Sequence, residues 1–173
     1  MYIRKTTPDD LQQVLSIYAY AREQMRLSGN ASQWGDDKPS AELIRDDILN
    51  ENSYVIIAAD TEEIAGVFTF IIGNDPAYAY IENGSWLNDE VYGTIHRIAS
   101  SGKQNGVFRR CLAFCEAKAP NVRIDTHECN RVMQHLLESC GYKKCGRIYV
   151  EDGSPRIAYQ KQIQPASSYN PRN

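Results

Sequence analysis

The segment best suited to chemistry is Tyr92 to Leu112, YGTIHRIASSGKQNGVFRRCL, where an apolar, strand-like run enters a glycine-bearing turn and an amphipathic helix leaves it. Backbone N–H groups in such a turn, and in the first turn of the helix, have no internal acceptor and point outward. They form an anion site suited to a cofactor that carries phosphate. Gly106 lets the backbone approach that phosphate closely, and Lys103, Arg109 and Arg110 add positive charge. The five cysteines, Cys111, Cys115, Cys129, Cys140 and Cys145, contain no CxxC pair, so neither a zinc site nor a disulfide framework is predicted and no metal is expected. Cys111 and Cys115, four apart on the helix after the turn, read as small core residues of a reduced chain, with redox or metal chemistry as the alternative.

The elements that must position this turn fit one domain. A chain of 173 residues is long enough for one ordinary core and short for two, which predicts a domain over residues 1–161 and a polar, flexible tail over 162–173. A net charge of −3 with no long basic stripe argues against a nucleic-acid partner. The start, MYIRKTTPDDL, lacks the apolar core of a signal peptide, and no run approaches the roughly 20 apolar residues that span a bilayer. The expectation is a cytoplasmic chain with no membrane partner. Sheet edges and exposed aromatics permit a homodimer.

Tyr2 to Lys5 forms a short strand candidate, and Thr7-Pro8-Asp9-Asp10 then starts a helix in which Leu11, Val14, Leu15, Tyr18 and Met25 recur at helical spacing. A second helix is predicted from Ser40 to Asn50. The runs Tyr54 to Ala59 and Ile64 to Ile72, joined by a polar DTEE turn, predict a hairpin. Ala77 to Glu90 is aromatic but broken by glycine and asparagine, and reads as a loop. Beyond it come a strand at Thr94 to Ser100, a helix at Asn105 to Ala117, a strand at Val122 to Thr126, and a helix at Asn130 to Ser139 ended by Gly141. Two closing strands, Tyr142 to Val150 and Arg156 to Gln160, flank a turn at Asp152-Gly153-Ser154-Pro155.

This order of elements, with IRKTTPDDLQQVLSIY at the start, YVIIAADTEEIAGVFTFI in the hairpin and NRVMQHLLESCGYKKCGRIYVEDGSPRIAYQ at the end, resembles the GNAT superfamily of acetyl-CoA-dependent N-acetyltransferases. The resemblance implies an α+β fold: a central, mostly antiparallel twisted sheet flanked by about four helices, with a splayed strand pair forming the acetyl-CoA cleft. The family usually carries Q/R-x-x-G-x-G/A at its pyrophosphate turn. Here Lys103-Gln104-Asn105-Gly106-Val107-Phe108 occupies it, with Lys103 in place of glutamine or arginine and Phe108 in place of the final small residue.

On that resemblance, acetyl-CoA is bound by Lys103, Gln104, Asn105, Gly106 and Val107 at the turn. The backbone of Ile98 and Ala99 meets the pantetheine amides as an added strand would, and Asn130, Met133 and Gln134 border the thioester end. The implied reaction is direct transfer of the acetyl group to a primary amine of a small molecule or peptide. The tyrosine that many relatives use as thiolate acid is replaced by Leu137 in LLESCGY, so the candidates for proton transfer are His127, His96 and Glu82, with Tyr80, Tyr142 and Cys140 beside them. His127 ends the strand IDTH and is either a base at the cleft edge or the cap of a turn. His96 either faces the acceptor or packs against a helix. Trp34, Tyr80 and Trp86, with Tyr78 and Glu82, form an aromatic cup for the amine, or else plug the end of the sheet. A catalytically idle acyl-CoA-binding module is the alternative function.

Overall fold

The computed structural model describes residues 1–163. Its elements are β1 (Tyr2–Lys5), α1 (Leu11–Leu27), α2 (Ala41–Leu49), β2 (Ser53–Ile57), β3 (Ile64–Ile72), β4 (Gly93–Ser100), α3 (Val107–Glu116), β5 (Asn121–Thr126), α4 (Arg131–Ser139), β6 (Lys143–Tyr149) and β7 (Pro155–Gln162). The seven strands form one sheet in the order β1-β2-β3-β4-β5-β7-β6. Every neighbouring pair is antiparallel except β4 and β5. The expected mostly antiparallel α+β sheet with four helices is what forms. β7 continues to Gln162, one residue past the predicted domain end, and the Ile163 N–H still donates to Pro120 O; residues 164–173 of the predicted tail lie outside the described residues.

Each helix is placed by its apolar stripe. On α1, Val14, Ile17 and Tyr18 are buried, and with Ile44 and Ile48 of α2 they pack on Val55, Ile57, Val67 and Ala99 of the sheet. Full burial of each such aliphatic side chain contributes about 1.5–3 kcal/mol. The opposite face carries α3 and α4, whose Val107, Cys111, Leu112, Cys115 and Leu137 close over Ile56, Phe68, Phe70, Ile95, Val122, Ile124 and Tyr159. Cys111 and Cys115 are free thiols inside this core, as small apolar packing predicts. No helix among the described residues is long and apolar enough to cross a membrane.

The central feature is a parting of strands. β4 and β5 pair at only two positions, Gly93 with Val122 and Thr94 with Arg123, after which β5 is held by β7 alone. Beyond Thr94, the edge of β4 that faces β5 has no strand partner.

Candidate active site

The gap between β4 and β5 opens into a cleft of about 570 Å³. Ile95, His96, Arg97 and Ile98 line it from β4, Ile124, Asp125 and Thr126 from β5, Asn130 and Met133 from the start of α4, and Met25, Trp34, Pro39 and Leu43 from the α1–α2 region. The Thr126 hydroxyl is buried with no protein partner among the described residues.

Register explains what β4 offers to this gap. Thr69 of β3 stands opposite His96 and Val67 opposite Ala99, so two residues of β4, Arg97 and Ile98, face the single Phe68. That is a β-bulge. Arg97 takes φ 52°, a left-handed conformation that costs a non-glycine residue about 1–3 kcal/mol. Beyond the bulge, Ser101 N–H donates to Ala65 O at 2.8 Å. The alternation of an antiparallel ladder then turns the backbone groups of Ala99 to β3 and those of Ile98 and Ser100 to the gap. Of the pair expected to meet pantetheine, Ile98 faces the cleft, while Ala99 is buried against α1 and Ser100 takes its place along the edge.

The glycine turn lies at the end of β4. Gly106 caps α3 at φ 80°, and a Cβ there would have only the Met1 Cε, 3.8 Å away, within 4 Å. The space before the helix is therefore open. The first intrahelical bond at this end is Arg110 N–H to Gly106 O, which leaves the N–H groups of Val107, Phe108 and Arg109 without intrahelical acceptors. Gln104 and Asn105 stand in the same turn. Lys103 does not point into it: its ammonium pairs with Glu63 of the β2–β3 hairpin at 2.9 Å, and both side chains are exposed.

His96 sits at the inner end of the cleft. Its Nε2 is 2.7 Å from Asp75 Oδ2. Burial alone would raise the Asp75 carboxyl, but the hydrogen bond and charge of His96, with the Ala77 N–H, outweigh it and hold the carboxyl below its ordinary value. An ionised carboxylate only accepts, so Nε2 carries a hydrogen, and Nδ1 is the ring nitrogen not engaged by Asp75. Beside it Tyr78 donates to Asp125 Oδ1 at 2.8 Å, and Arg156 lies 4.0 Å from Asp125 Oδ2. Burial first, and then Asp125, push the Tyr78 phenol well above its ordinary value.

The other predicted site residues are dispersed. His127 is outside the cleft lining, and its Nδ1 accepts the Cys129 N–H at 3.1 Å, the turn-capping alternative. Glu82 is an extension of the sheet edge: it exchanges two backbone bonds with Arg147 and accepts the Tyr149 hydroxyl at 2.7 Å. Gln134 donates to Glu128 O at 2.8 Å and borders a separate cavity. Asn130 caps α4 by accepting from Met133 N–H and donates to Gln33. The aromatic cup does not assemble. Trp34 lines the cleft, edge-on to Tyr18, whereas Trp86 packs on Tyr78 and, with Tyr92, sandwiches the Arg123 guanidinium. Tyr80 is largely exposed. The Tyr142 hydroxyl is bound to Glu116, and Leu137 is fully buried. Local patterns did not single out Asp125 and Thr126, which line the cleft, or Asp75, which holds His96, since only the folded sheet brings them to that place.

No protein-family model and no curated protein matches this chain. Among solved structures, a GNAT-family acetyltransferase from Streptococcus agalactiae is 34% identical to it, covering 95% of this chain and 96% of its own, with a TM-score of 0.85. A GNAT-family acetyltransferase from Listeria monocytogenes (17% identity, 94% of each chain, TM-score 0.68) shares the fold. So does a chain of the NatB acetyltransferase complex bound to CoA and MES (12% identity, 95% of this chain and 100% of that one, TM-score 0.59). With its sheet parted between β4 and β5 and a likeness that spans nearly the whole of both chains, this protein belongs to the GNAT family of acetyltransferases.

Proposed function

We propose that the chain is an acetyl-CoA-dependent N-acetyltransferase that moves the acetyl group directly to a primary amine of a small molecule or peptide. The observation that carries this reading is the gap itself: an unpaired strand edge at Ile98 and Ser100, with a glycine-capped helix at one end and a carboxylate-held histidine at the other. The residues present fit the cofactor. The N–H groups of Val107 to Arg109 and the open space at Gly106 suit a pyrophosphate, the β4 edge suits pantetheine amides, and Asn130 and Met133, which line the cleft, would border the thioester. Acetyl-CoA would supply an activated acyl carbon.

The chain supplies the rest. The Ile98 N–H is a donor for the oxygen on which charge develops. An alkylammonium loses two protons on becoming an amide, and His96 Nδ1 takes the first, with Asp75 stabilising the imidazolium. Of the candidates His127, His96 and Glu82, His96 takes this role because it is the one in the cleft lining. The second proton goes with the sulfur; Leu137 has none to give, so water carries it. Asp37 and Glu151, neither in an ion pair among the described residues, favour approach of a cation beside the apolar wall of Trp34, Met25 and Leu43.

Calorimetric titration with acetyl-CoA tests the reading. The wild-type protein is expected to bind with micromolar affinity and Gly106→Glu to lose at least about tenfold, because its carboxylate enters the phosphate cradle. Absence of wild-type binding sinks the proposal. Binding without turnover across a broad amine panel would instead identify an acyl-CoA-binding module, the reading that Leu137 favours.

A further inference from the structure

Arg97 is held from both ends. Its guanidinium makes a two-pronged contact with Asp47 of α2, Nε to Oδ2 at 2.8 Å and Nη2 to Oδ1 at 2.8 Å, and Asp47 Oδ2 also accepts the Thr69 hydroxyl at 2.8 Å. Its carbonyl oxygen accepts the hydroxyl of Tyr18 from α1 at 2.8 Å. Tyr18 is 1% exposed and Asp47 8% exposed, so these are interior contacts. They converge on the residue in the left-handed conformation, and that residue separates His96 from Ile98 in the cleft wall.

We infer that Tyr18, Arg97 and Asp47 form a clamp on the β4 bulge that aims the Ile98 N–H into the cleft, which makes them positioning residues for the acyl carbonyl. A trans peptide is planar, with its C=O and N–H pointing in opposite directions. Fixing the Arg97 carbonyl on the Tyr18 hydroxyl therefore fixes the Ile98 N–H on the opposite side, away from α1. The side-chain contact with Asp47 prevents Arg97 from relaxing out of its unfavourable backbone conformation, which would rotate that same peptide. The bulge also places His96 and Arg97 on the one face, since Thr69, opposite His96, shares Asp47 with Arg97. One clamp thus sets both the base and the oxygen-binding donor. Burial holds the Tyr18 phenol protonated, its ionisation pushed well above the ordinary value, so it remains a donor throughout the working pH range.

This inference rests on the acetyl-transfer reading, and a test that needs no acceptor separates the two. The measurement is the thioester C=O stretch of bound acetyl-CoA, read by infrared difference spectroscopy with an isotope-labelled acetyl carbonyl. In the wild-type protein the stretch moves to lower frequency on binding. Tyr18→Phe, which removes one hydroxyl, and Asp47→Asn, which keeps volume and removes charge, should each lose at least half of that shift while CoA affinity stays within about threefold and thermal unfolding stays cooperative. Retention of the full shift in both folded variants overturns the clamp. Binding with no shift in the wild-type protein removes the Ile98 donor and the clamp with it, whereas no binding at all overturns the acetyl-transfer reading first.

Discussion

At the scale of single residues, the proposed reaction turns on which side chain takes the amine proton. Two histidines have different surroundings for a geometric reason. His96 is two residues past the last β4–β5 pair, where the strands part, and its ring is fixed through Nε2 by Asp75, which leaves Nδ1 unengaged. His127 follows β5 and spends its Nδ1 on the Cys129 N–H. His96→Ala is therefore expected to lower kcat by about 100-fold to 10,000-fold, the usual worth of a positioned proton acceptor, and to leave acetyl-CoA affinity within about threefold. His127→Ala should leave kcat nearly unchanged. Steady-state rates with the best amine of a panel, beside calorimetric affinities, decide it; full activity in His96→Ala would return the proton to solvent. Neither the Asp75 partnership, 21 residues away, nor the Arg97–Asp47 contact, 50 residues away, has a local signature in the chain. Only the sheet brings them together.

Elements are tied down by contacts that sequence patterns do announce. The Thr7-Pro8-Asp9-Asp10 start of α1 places Asp10 so that it accepts the Thr7 N–H at 2.8 Å and both prongs of Arg4 from β1, at 2.7 and 2.9 Å. The Arg4 bonds, helped by those from Thr7, hold the Asp10 carboxyl at about 2 against an ordinary 3.8. A folded-state value below the unfolded one contributes stability that is present above the unfolded value and lost as pH falls through the folded one. Asp10→Asn should therefore cost roughly 1–2 kcal/mol at neutral pH, allowing for screening at the part-exposed Arg4. The gap between variant and wild type in denaturant unfolding should close as pH falls from about 4 towards 2; a gap independent of pH would assign the cost to packing. The same local legibility extends to β3, predicted and found at Ile64–Ile72, and to α2, where Ser40 caps the helix by accepting the Leu43 N–H at 3.2 Å. It stops at register. An extra residue in β4 and a strand pair that parts after Thr94 leave no periodic trace, so the bulge and the direction of Ala99 came only from the folded sheet. The aromatic loop takes the second of its two readings, a plug at the end of the sheet: the Arg123 guanidinium lies 4.1 Å from the Trp86 ring and 3.8 Å from that of Tyr92, a contact that only the folded sheet provides.

For the whole molecule, the parted strands divide the sheet into a β1–β4 part and a β5–β7 part, joined by two parallel residue pairs and by a core that runs beneath both on the α3–α4 side. On the other side a few polar ties cross the cleft: Lys38 to Asp152 at 2.7 Å, Asn130 to Gln33 at 3.0 Å and Arg156 to the Gln33 carbonyl at 3.3 Å. A ligand laid along the β4 edge would reach from the glycine turn to the start of α4 and add contacts with both parts, none of which the unfolded chain can make. Binding to the folded state alone stabilises it by about 2.7 kcal/mol at a free concentration of 100 Kd. For a protein of this size each kcal/mol moves the midpoint by about 2–4 °C, so saturating CoA should raise Tm by about 5–10 °C. The rise should fall away in Gly106→Glu at the same CoA concentration, and hydrogen exchange should slow most at Ile98, Ser100 and the first turn of α3, where the open backbone groups acquire partners. A wild-type Tm that CoA does not move would mean that the folded chain does not bind it, and protection confined to another surface would place the cofactor outside the gap; either result leaves the parted strands as a feature of the fold alone.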